Sequence, residues 1–267
     1  MPEGDTIHRT AASLRRALGE GPLTMFDAGR TPGPRPDPGE RIEEIRARGK
    51  HLLVRFAGGS VLHTHLGMTG SWRIEPGGTD APPGSARQPV VVIGTERSVA
   101  VCRKAPTVEL LETEGVRRHP VLSALGPDLC DPSPDLDEVL RRLDATDPTT
   151  PIGVALLDQR IAAGIGNVYR SEVLWACGVD PFVTLHDLDE GAPRALYATA
   201  HRLLRANLTG YPRRTVPGGL AVYDRAGRAC RRCGRTIGVR RLGDQARTTW
   251  WCPGCQTAGG PPREGGL

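Results

Sequence analysis

The sequence predicts an α+β, multidomain chain in three consecutive parts: an antiparallel β-sandwich closed by an N-terminal helix, a helical segment, and a compact cysteine module. Three observations predict it. Short β-like runs broken by glycine turns fill residues 23–112, helical periodicity takes over beyond about residue 135, and four cysteines form two evenly spaced pairs near the C-terminus.

Taken in order, Asp5 is placed to cap a first helix whose apolar positions Ile7, Ala11, Leu14 and Leu18 keep helical spacing, ending near Gly19 and Gly21. LTMFDAG, RIEEIRARGK, HLLVRF, SVLHTHL, SWRIEP, VVVIG and SVAVC then read as strands. Gly58-Gly59 and Gly94-Thr95-Glu96 read as hairpin turns, and the proline- and glycine-rich stretches 31–39 and 76–84 as loops. Segment 113–135 has the composition of a linker. Beyond it DLDEVLRRL, PIGVALLDQRI, NVYRSEVLWACG and APRALYATAHRLLRANL read as helices, and 257–267 as a disordered tail. The expected boundaries are 1–115 for the β-domain, 116–220 for the helical domain, 221–256 for the cysteine module and 257–267 for the tail, with no internal repeat.

Composition narrows the function classes. At 267 residues the chain can build two cores of ordinary size. No apolar run approaches the roughly 18 residues of a membrane span, and MPEGDTIHRT lacks the basic start and apolar core of a signal peptide. A cytoplasmic protein with no membrane partner is expected. In that compartment seven cysteines point to metal or core thiols rather than disulfides. Residues 201–256 carry twelve Arg against Asp224 and Asp244, a net +10, which leaves −5 on residues 1–200 given the overall +5 and a neutral tail. A basic end on an acidic body suits a polyanion, nucleic acid first, the alternative being a solvated arginine face. Lysine is nearly absent, leaving Lys50 and Lys104. Only lysine of the two cationic types readily gives up its proton, so Lys50 is a candidate acid or base.

The most specific motif is Cys230-x2-Cys233, eighteen residues, then Cys252-x2-Cys255: four thiolates that close a tetrahedron around one structural zinc ion. Cys102, Cys130 and Cys177 lack such spacing and read as core thiols. Between the pairs, RTIGVRRLGDQARTTWW reads as a β-hairpin turning near Gly243-Asp244 and carrying Arg240, Arg241 and Arg247, placed for a phosphate or a groove. Gly164-Ile165-Gly166-Asn167 lies between two expected amphipathic helices. Its glycines allow close backbone approach, the amides opening the next helix face an anion, and the Asn167 amide is a further donor. His63 and His65 share one strand face; a metal pair is conceivable there, with no carboxylate at ligand spacing. Met68, in a glycine-flanked loop, is either core or an apolar plug for a base stack. At the terminus, removal of Met1 would leave Pro2 as a free secondary amine beside the Glu3 carboxylate; the plain alternative is a solvated helix entry.

Taken together, MPEG, ARGKH, HLGMTGSW, LLDQRIAAGIGNVYRSEVLW and CRRCG…ARTTWWCPGCQ resemble, in order and over nearly the whole chain, the formamidopyrimidine-DNA glycosylase and endonuclease VIII family of DNA glycosylases. The resemblance implies a helix-capped β-sandwich, a helix-two-turn-helix domain and a zinc finger, in a bacterial base-excision enzyme that works as a monomer on damaged DNA in the nucleoid, with no nucleotide cofactor. It places the nucleophile on Pro2, which attacks C1′ and forms a Schiff base. It makes Glu3 the acid assisting ring opening, Lys50 the acid/base of β-elimination, and Arg247 the finger arginine of phosphate binding and δ-elimination. Asn167, with the Gly164 and Gly166 turn, corresponds to the phosphate clamp, and Met68 to the wedge filling the space of the flipped nucleotide.

The residues suit those roles. An α-amine titrates at about 7.7–8.0 against about 10.4 for lysine, so a useful fraction is nucleophilic near neutral pH. Flipping a nucleotide costs a few kcal/mol, which a clamp and a wedge help to offset. Two departures stand out. Asp5-Thr6 occupies the place where the family commonly has a second glutamate, and CRKAPTVELL lacks the Arg and Phe that complete void filling in the purine-directed branch. Both lean toward endonuclease VIII and oxidised pyrimidines; oxidised purines, or a zinc-dependent DNA-binding protein without catalysis, remain the alternatives.

Overall fold

Helix α1 (Gly4–Leu18) buries Ile7, Ala11, Leu14 and Leu18 along one face, as their spacing requires. Its start differs from expectation. The backbone N–H groups of Thr6 and Ile7 both reach the Glu3 carbonyl, so the chain enters the helix two residues early and Glu3, not Asp5, is the extended N-cap residue. Asp5 instead lies inside the first turn, fully buried, and accepts from Arg9 Nη1 one turn on at 3.1 Å.

The computed structural model describes residues 1–19, 21–77 and 89–257, which belong to two units, Met1–Ala124 and Leu125–Leu267. Residues 78–84 of the second expected loop and 258–267 of the expected tail lie outside the described residues.

In the first unit, strands β1 (Leu23–Asp27), β2 (Ile42–Arg48), β3 (His51–Phe56), β4 (Ser60–His65), β5 (Ser71–Pro76), β6 (Val91–Thr95), β7 (Ser98–Arg103) and β8 (Thr107–Glu112) form two four-stranded antiparallel sheets. Their orders are β1-β6-β7-β5 and β2-β3-β4-β8. Helix α1 packs against β2 and β3 of one sheet and β5 and β7 of the other, and its apolar face joins Leu52, Val54, Phe56, Leu62 and Ile93 in a single core. With a period of two, sending Leu52, Val54 and Phe56 inward puts His51, Leu53 and Arg55 on the opposite face of β3.

Three local readings need correction. The β3–β4 hairpin does turn at Gly58-Gly59, with Gly59 at φ +86°, but the β6–β7 turn is Glu96-Arg97; Gly94 pairs with Val99 inside β6. Strand β8 was not singled out in the sequence, since Pro106 and the charged TVELLE mask it. The stretch from 113, expected as a linker, starts with two helices, α2 (Thr113–Arg118) and α3 (Pro120–Ala124), and the units divide after Ala124 rather than after residue 115. Strand β8 runs straight into α2, which packs back on β8 and β4.

The second unit contains α4 (Leu136–Asp144), α5 (Ile152–Ala155), α6 (Asn167–Cys177), α7 (Ala192–Ala206), β9 (Gly238–Leu242) and β10 (Arg247–Trp251). PIGVALLDQRI is not one amphipathic helix. Helix α5 stops after four residues because the Asp158 carboxylate takes the Arg160 N–H, and Gln159 folds back to bond Leu157, Gly164 and Ile165. Helix α6 is not amphipathic either: Arg170, Ser171 and Glu172 are as buried as Val168, Val173 and Leu174. It lies between two cores, one shared with α7 through Tyr169, Leu174 and Leu196, the other joining Trp175 to Ala221, Val222, Ile237 and Cys252 of the cysteine module. No helix among the described residues is long and apolar enough to cross a membrane.

Candidate active site

The N-terminus is built rather than frayed. Glu3 is 0% exposed and Pro2 half-buried at the mouth of α1, while Met1 ahead of them is exposed. A carboxylate is almost never fully buried without a task or a partner, and Glu3 is not the solvated acid of a frayed terminus. Where the family's second glutamate was expected, Asp5 supplies a buried carboxylate one residue earlier, bonded to Arg9 and to the Thr6 hydroxyl at 3.3 Å.

Lys50 follows Gly49 in the turn between β2 and β3, a turn that needs glycine because φ there is +59°. It is half-buried, not the solvated edge charge that a strand entry usually carries. Met68 stands in the turn after β4 at 72% exposure, which removes the core reading and leaves an apolar side chain held out to solvent. His63 and His65 share one face of β4 as expected. The missing carboxylate is Glu109 on β8, opposite His63 in the sheet, with His51 and His119 completing the group.

In the second unit the glycine turn and the arginine hairpin come together. Gly164, at φ +109°, is a conformation closed to ordinary side chains, whereas Gly166 is extended and serves as the N-cap of α6. Asn167 opens α6 and donates from Nδ2 to the Thr248 carbonyl at 2.9 Å; Arg170 Nη2 donates to the same carbonyl at 2.8 Å and to Thr249 Oγ1 at 2.7 Å. Asn167 is thus tied to the strand that Arg247 begins. The hairpin turns at Gly243-Asp244 as expected, with Arg247 opposite Leu242 and its Nε bonded to Gln245 Oε1 at 2.9 Å. Arg240 lies over the Phe182 ring at 4.8 Å, and Arg241 bonds the Ala246 carbonyl at 3.2 Å.

Glu172 escaped sequence reading. One helical turn below Asn167 and buried, it accepts from the Thr215 hydroxyl and from the backbone N–H groups of Ala221, Val222 and Tyr223 at 2.7–2.8 Å, fastening the chain that leads into the cysteine module. All four donors face its two oxygens, so an amide in that place must set an NH2 against an N–H. We expect Glu172→Gln to lower unfolding stability by about 2 kcal/mol. A chemical-denaturation midpoint equal to that of the parent chain would contradict this.

The Sγ atoms of Cys230, Cys233, Cys252 and Cys255 all lie within 4.8 Å of one another, with Cys230–Cys255 at 3.8 Å and Cys233–Cys252 at 3.4 Å. A zinc ion with four sulfurs at about 2.3 Å has S···S edges of roughly 3.8 Å, so the set fits one tetrahedral metal ion. The outer layer fits too. The Trp175 indole and the Arg232 N–H each donate to Cys230 Sγ at 3.4 Å, and Arg232 stacks on Trp175 at 4.0 Å. Cys102, Cys130 and Cys177 are buried apart from this set, and burial pushes the Cys102 thiol up to about 12, as befits inert core thiols.

Fold and site together define a class: a helix-capped β-sandwich with a buried acid at its terminus, followed by a helical unit whose glycine turn is braced by a four-cysteine, arginine-bearing hairpin. Comparison with known proteins gives the class its family. Residues 1–102 match the model of the formamidopyrimidine-DNA glycosylase N-terminal domain, and residues 125–213 that of the formamidopyrimidine-DNA glycosylase H2TH domain. The chain is 41% identical to a probable endonuclease 8 2 of Streptomyces coelicolor, over 100% of this chain and 97% of that protein. It is 39% identical to a DNA-(apurinic or apyrimidinic site) lyase of Mycolicibacterium smegmatis, over 97% and 100%. Among solved structures, Lactococcus lactis formamidopyrimidine-DNA glycosylase bound to DNA containing an abasic site superposes with a TM-score of 0.80 at 25% identity, over 96% of this chain and 99% of that one. The chain belongs to the formamidopyrimidine-DNA glycosylase and endonuclease VIII family, on the endonuclease VIII side, and is a bifunctional DNA glycosylase and AP lyase.

Proposed function

We propose that the chain removes oxidised pyrimidines from damaged DNA through a Schiff base on the N-terminal amine of Pro2 and then nicks the strand by β/δ-elimination. The observation that carries the reading is Glu3, a carboxylate with no exposed surface directly beside the half-buried Pro2. With Met1 removed, Pro2 attacks C1′ as a neutral amine, and Glu3 assists opening of the sugar ring. The resulting iminium draws electrons and acidifies C2′, where Lys50 handles the proton of β-elimination. Asn167, the Gly164 to Gly166 turn and Arg247 clamp phosphate, Arg247 also serving δ-elimination. Met68, already exposed, fills the space of the flipped nucleotide. One structural Zn2+ on Cys230, Cys233, Cys252 and Cys255 holds the hairpin. Three domains, the first ending at Ala124 and the second near residue 220, carry these parts, and the enzyme acts as a monomer at the nucleoid.

Preference for pyrimidines rests on the β7–β8 connection. The strands are separated by Lys104, Ala105 and Pro106 alone, which leaves no loop to carry the Arg and Phe of the purine-directed branch. Relatives named endonuclease 8 point the same way. Solved neighbours include complexes with an oxidised pyrimidine and with N7-benzyl-Fapy-dG, so both lesion classes belong in the test. On duplexes that each carry one lesion, single-turnover excision of an oxidised pyrimidine should exceed that of 8-oxoguanine by about tenfold or more. Equal or faster excision of 8-oxoguanine would overturn the preference, and no excision of any lesion would favour a binding protein.

A further inference from the structure

The histidines on the outer face of the β2-β3-β4-β8 sheet form a hydrogen-bonded ladder whose direction can be read from its end. His119 precedes α3, and its Nδ1 accepts from the backbone N–H groups of Val121 and Leu122, both at 3.2 Å. That nitrogen carries no proton. The neutral ring therefore has its proton on Nε2, which donates to Glu109 Oε2 at 3.0 Å. The same carboxylate oxygen accepts from His63 Nδ1 at 2.7 Å, leaving a lone pair on His63 Nε2. His51 Nδ1 lies 2.9 Å from that lone pair and must donate to it. His51 is thereby fixed as the Nδ1–H tautomer, with its own lone pair on Nε2.

Burial favours the neutral form of His51 and His63. It lowers His63 against the opposing pull of Glu109, and together with the surrounding cations and rings it lowers His51 to about 3. Hydrogen bonds from His63 and His119 outweigh burial at Glu109 and hold its carboxyl below the usual range. A metal ion on His63, Glu109 and His119 is a poor alternative. A metal on His119 Nε2 would require a proton on Nδ1, where two N–H groups already point.

Next to the inner end of this ladder is Lys50, adjacent to His51 in the chain and close enough to depress the protonation of both His51 and His65. The other groups around His51 are Arg48, opposite it on β2, and His65, opposite it on β4 with ring centroids 4.8 Å apart. His65 Nδ1 accepts from the Gly67 N–H at 3.3 Å, so its proton is on Nε2. Helix α1 packs on the other face of the sheet, with the core. His51 Nε2 is then the lone pair that the ladder leaves uncommitted.

We propose that Glu109 is a positioning residue for Lys50: acting through His63, it sets the tautomer of His51, so that the ring beside Lys50 is neutral and offers an acceptor rather than an N–H. The proposal deepens the reading of Lys50 as the acid/base of β-elimination and rests on it. A neutral acceptor favours the ammonium form. A donor in its place repels the ammonium and lets Lys50 lose its proton at lower pH.

Two experiments test this. Imidazole 15N NMR on the intact protein should report His51 as Nδ1–H; an Nε2–H tautomer overturns the proposal without reference to activity. In kinetics on preformed abasic DNA, Glu109→Leu should move the Lys50 limb of the β-elimination profile down by about one unit, which raises the rate about tenfold at pH values below that limb. Borohydride trapping should change less than about twofold, because Pro2 does not depend on the ladder. Glu109→Gln should restore the native profile, since both histidines bond one oxygen and an amide oxygen can take its place. Glu112→Leu on the same strand should leave the profile unchanged. A native profile in Glu109→Leu, beside loss of elimination in Lys50→Ala, overturns the ladder alone. Parental elimination in Lys50→Ala removes the Lys50 reading and the proposal with it.

Discussion

Replacing Pro2 with glycine is expected to lower the single-turnover rate of base excision by about a thousandfold or more, while affinity for DNA carrying an uncleavable abasic analogue stays within a few-fold. The size of the effect follows from covalent catalysis, because a lost nucleophile removes the intermediate rather than weakening a contact. Glycine retains an α-amine, but that amine loses the pyrrolidine ring that fixes φ and limits its orientations. A Pro2→Gly enzyme excising at the parental rate would place the nucleophile elsewhere.

The second large effect is expected from Cys252→Ser. With one of four sulfurs gone the metal should dissociate, and the hairpin of β9 and β10 loses its anchor, since Cys230, Cys252 and Cys255 form its small core with Ile237 and Trp175. We expect affinity for abasic DNA to fall about 10- to 100-fold, or about 1.4–2.8 kcal/mol, with a shallower salt dependence as the contacts of Arg240, Arg241 and Arg247 are lost. The β-sandwich should stay folded, because its core from Ile7 to Leu110 includes no residue of the cysteine module. Titration of labelled DNA at several salt concentrations reads the first effect, and hydrogen exchange of the sandwich strands the second. Parental affinity in the metal-free variant would contradict this division of labour.

Much of the architecture was legible in the sequence because its signals are local. Leu14 and Leu18 on α1, the glycine turn at Gly59 and the CxxC pairs each declare themselves within a few residues. What was missed depends on partners far along the chain. Nothing local marks Glu172 in a helix expected to be amphipathic; its partners Thr215, Ala221, Val222 and Tyr223 lie more than forty residues later and bury it. His63 lacked a carboxylate at ligand spacing because Glu109 is 46 residues away and becomes its neighbour only through the β4–β8 pairing. Asp5 was read as a cap from its type, whereas the backbone enters the helix at Glu3 and Arg9 claims the aspartate. Helix α5 was overlong for a similar reason: periodicity cannot see Gln159 turning back on Gly164.

A single atom, the α-nitrogen of Pro2, carries the proposed covalent chemistry. Borohydride reduction of the enzyme with lesion-bearing DNA, followed by proteolysis and mass spectrometry of the trapped peptide, reads it directly. The expected product is an N-terminal peptide that begins at Pro2, lacks Met1 and carries the DNA remnant on its proline nitrogen. A remnant mapped to Lys50, or an adduct formed on chains that keep Met1, would contradict the central claim.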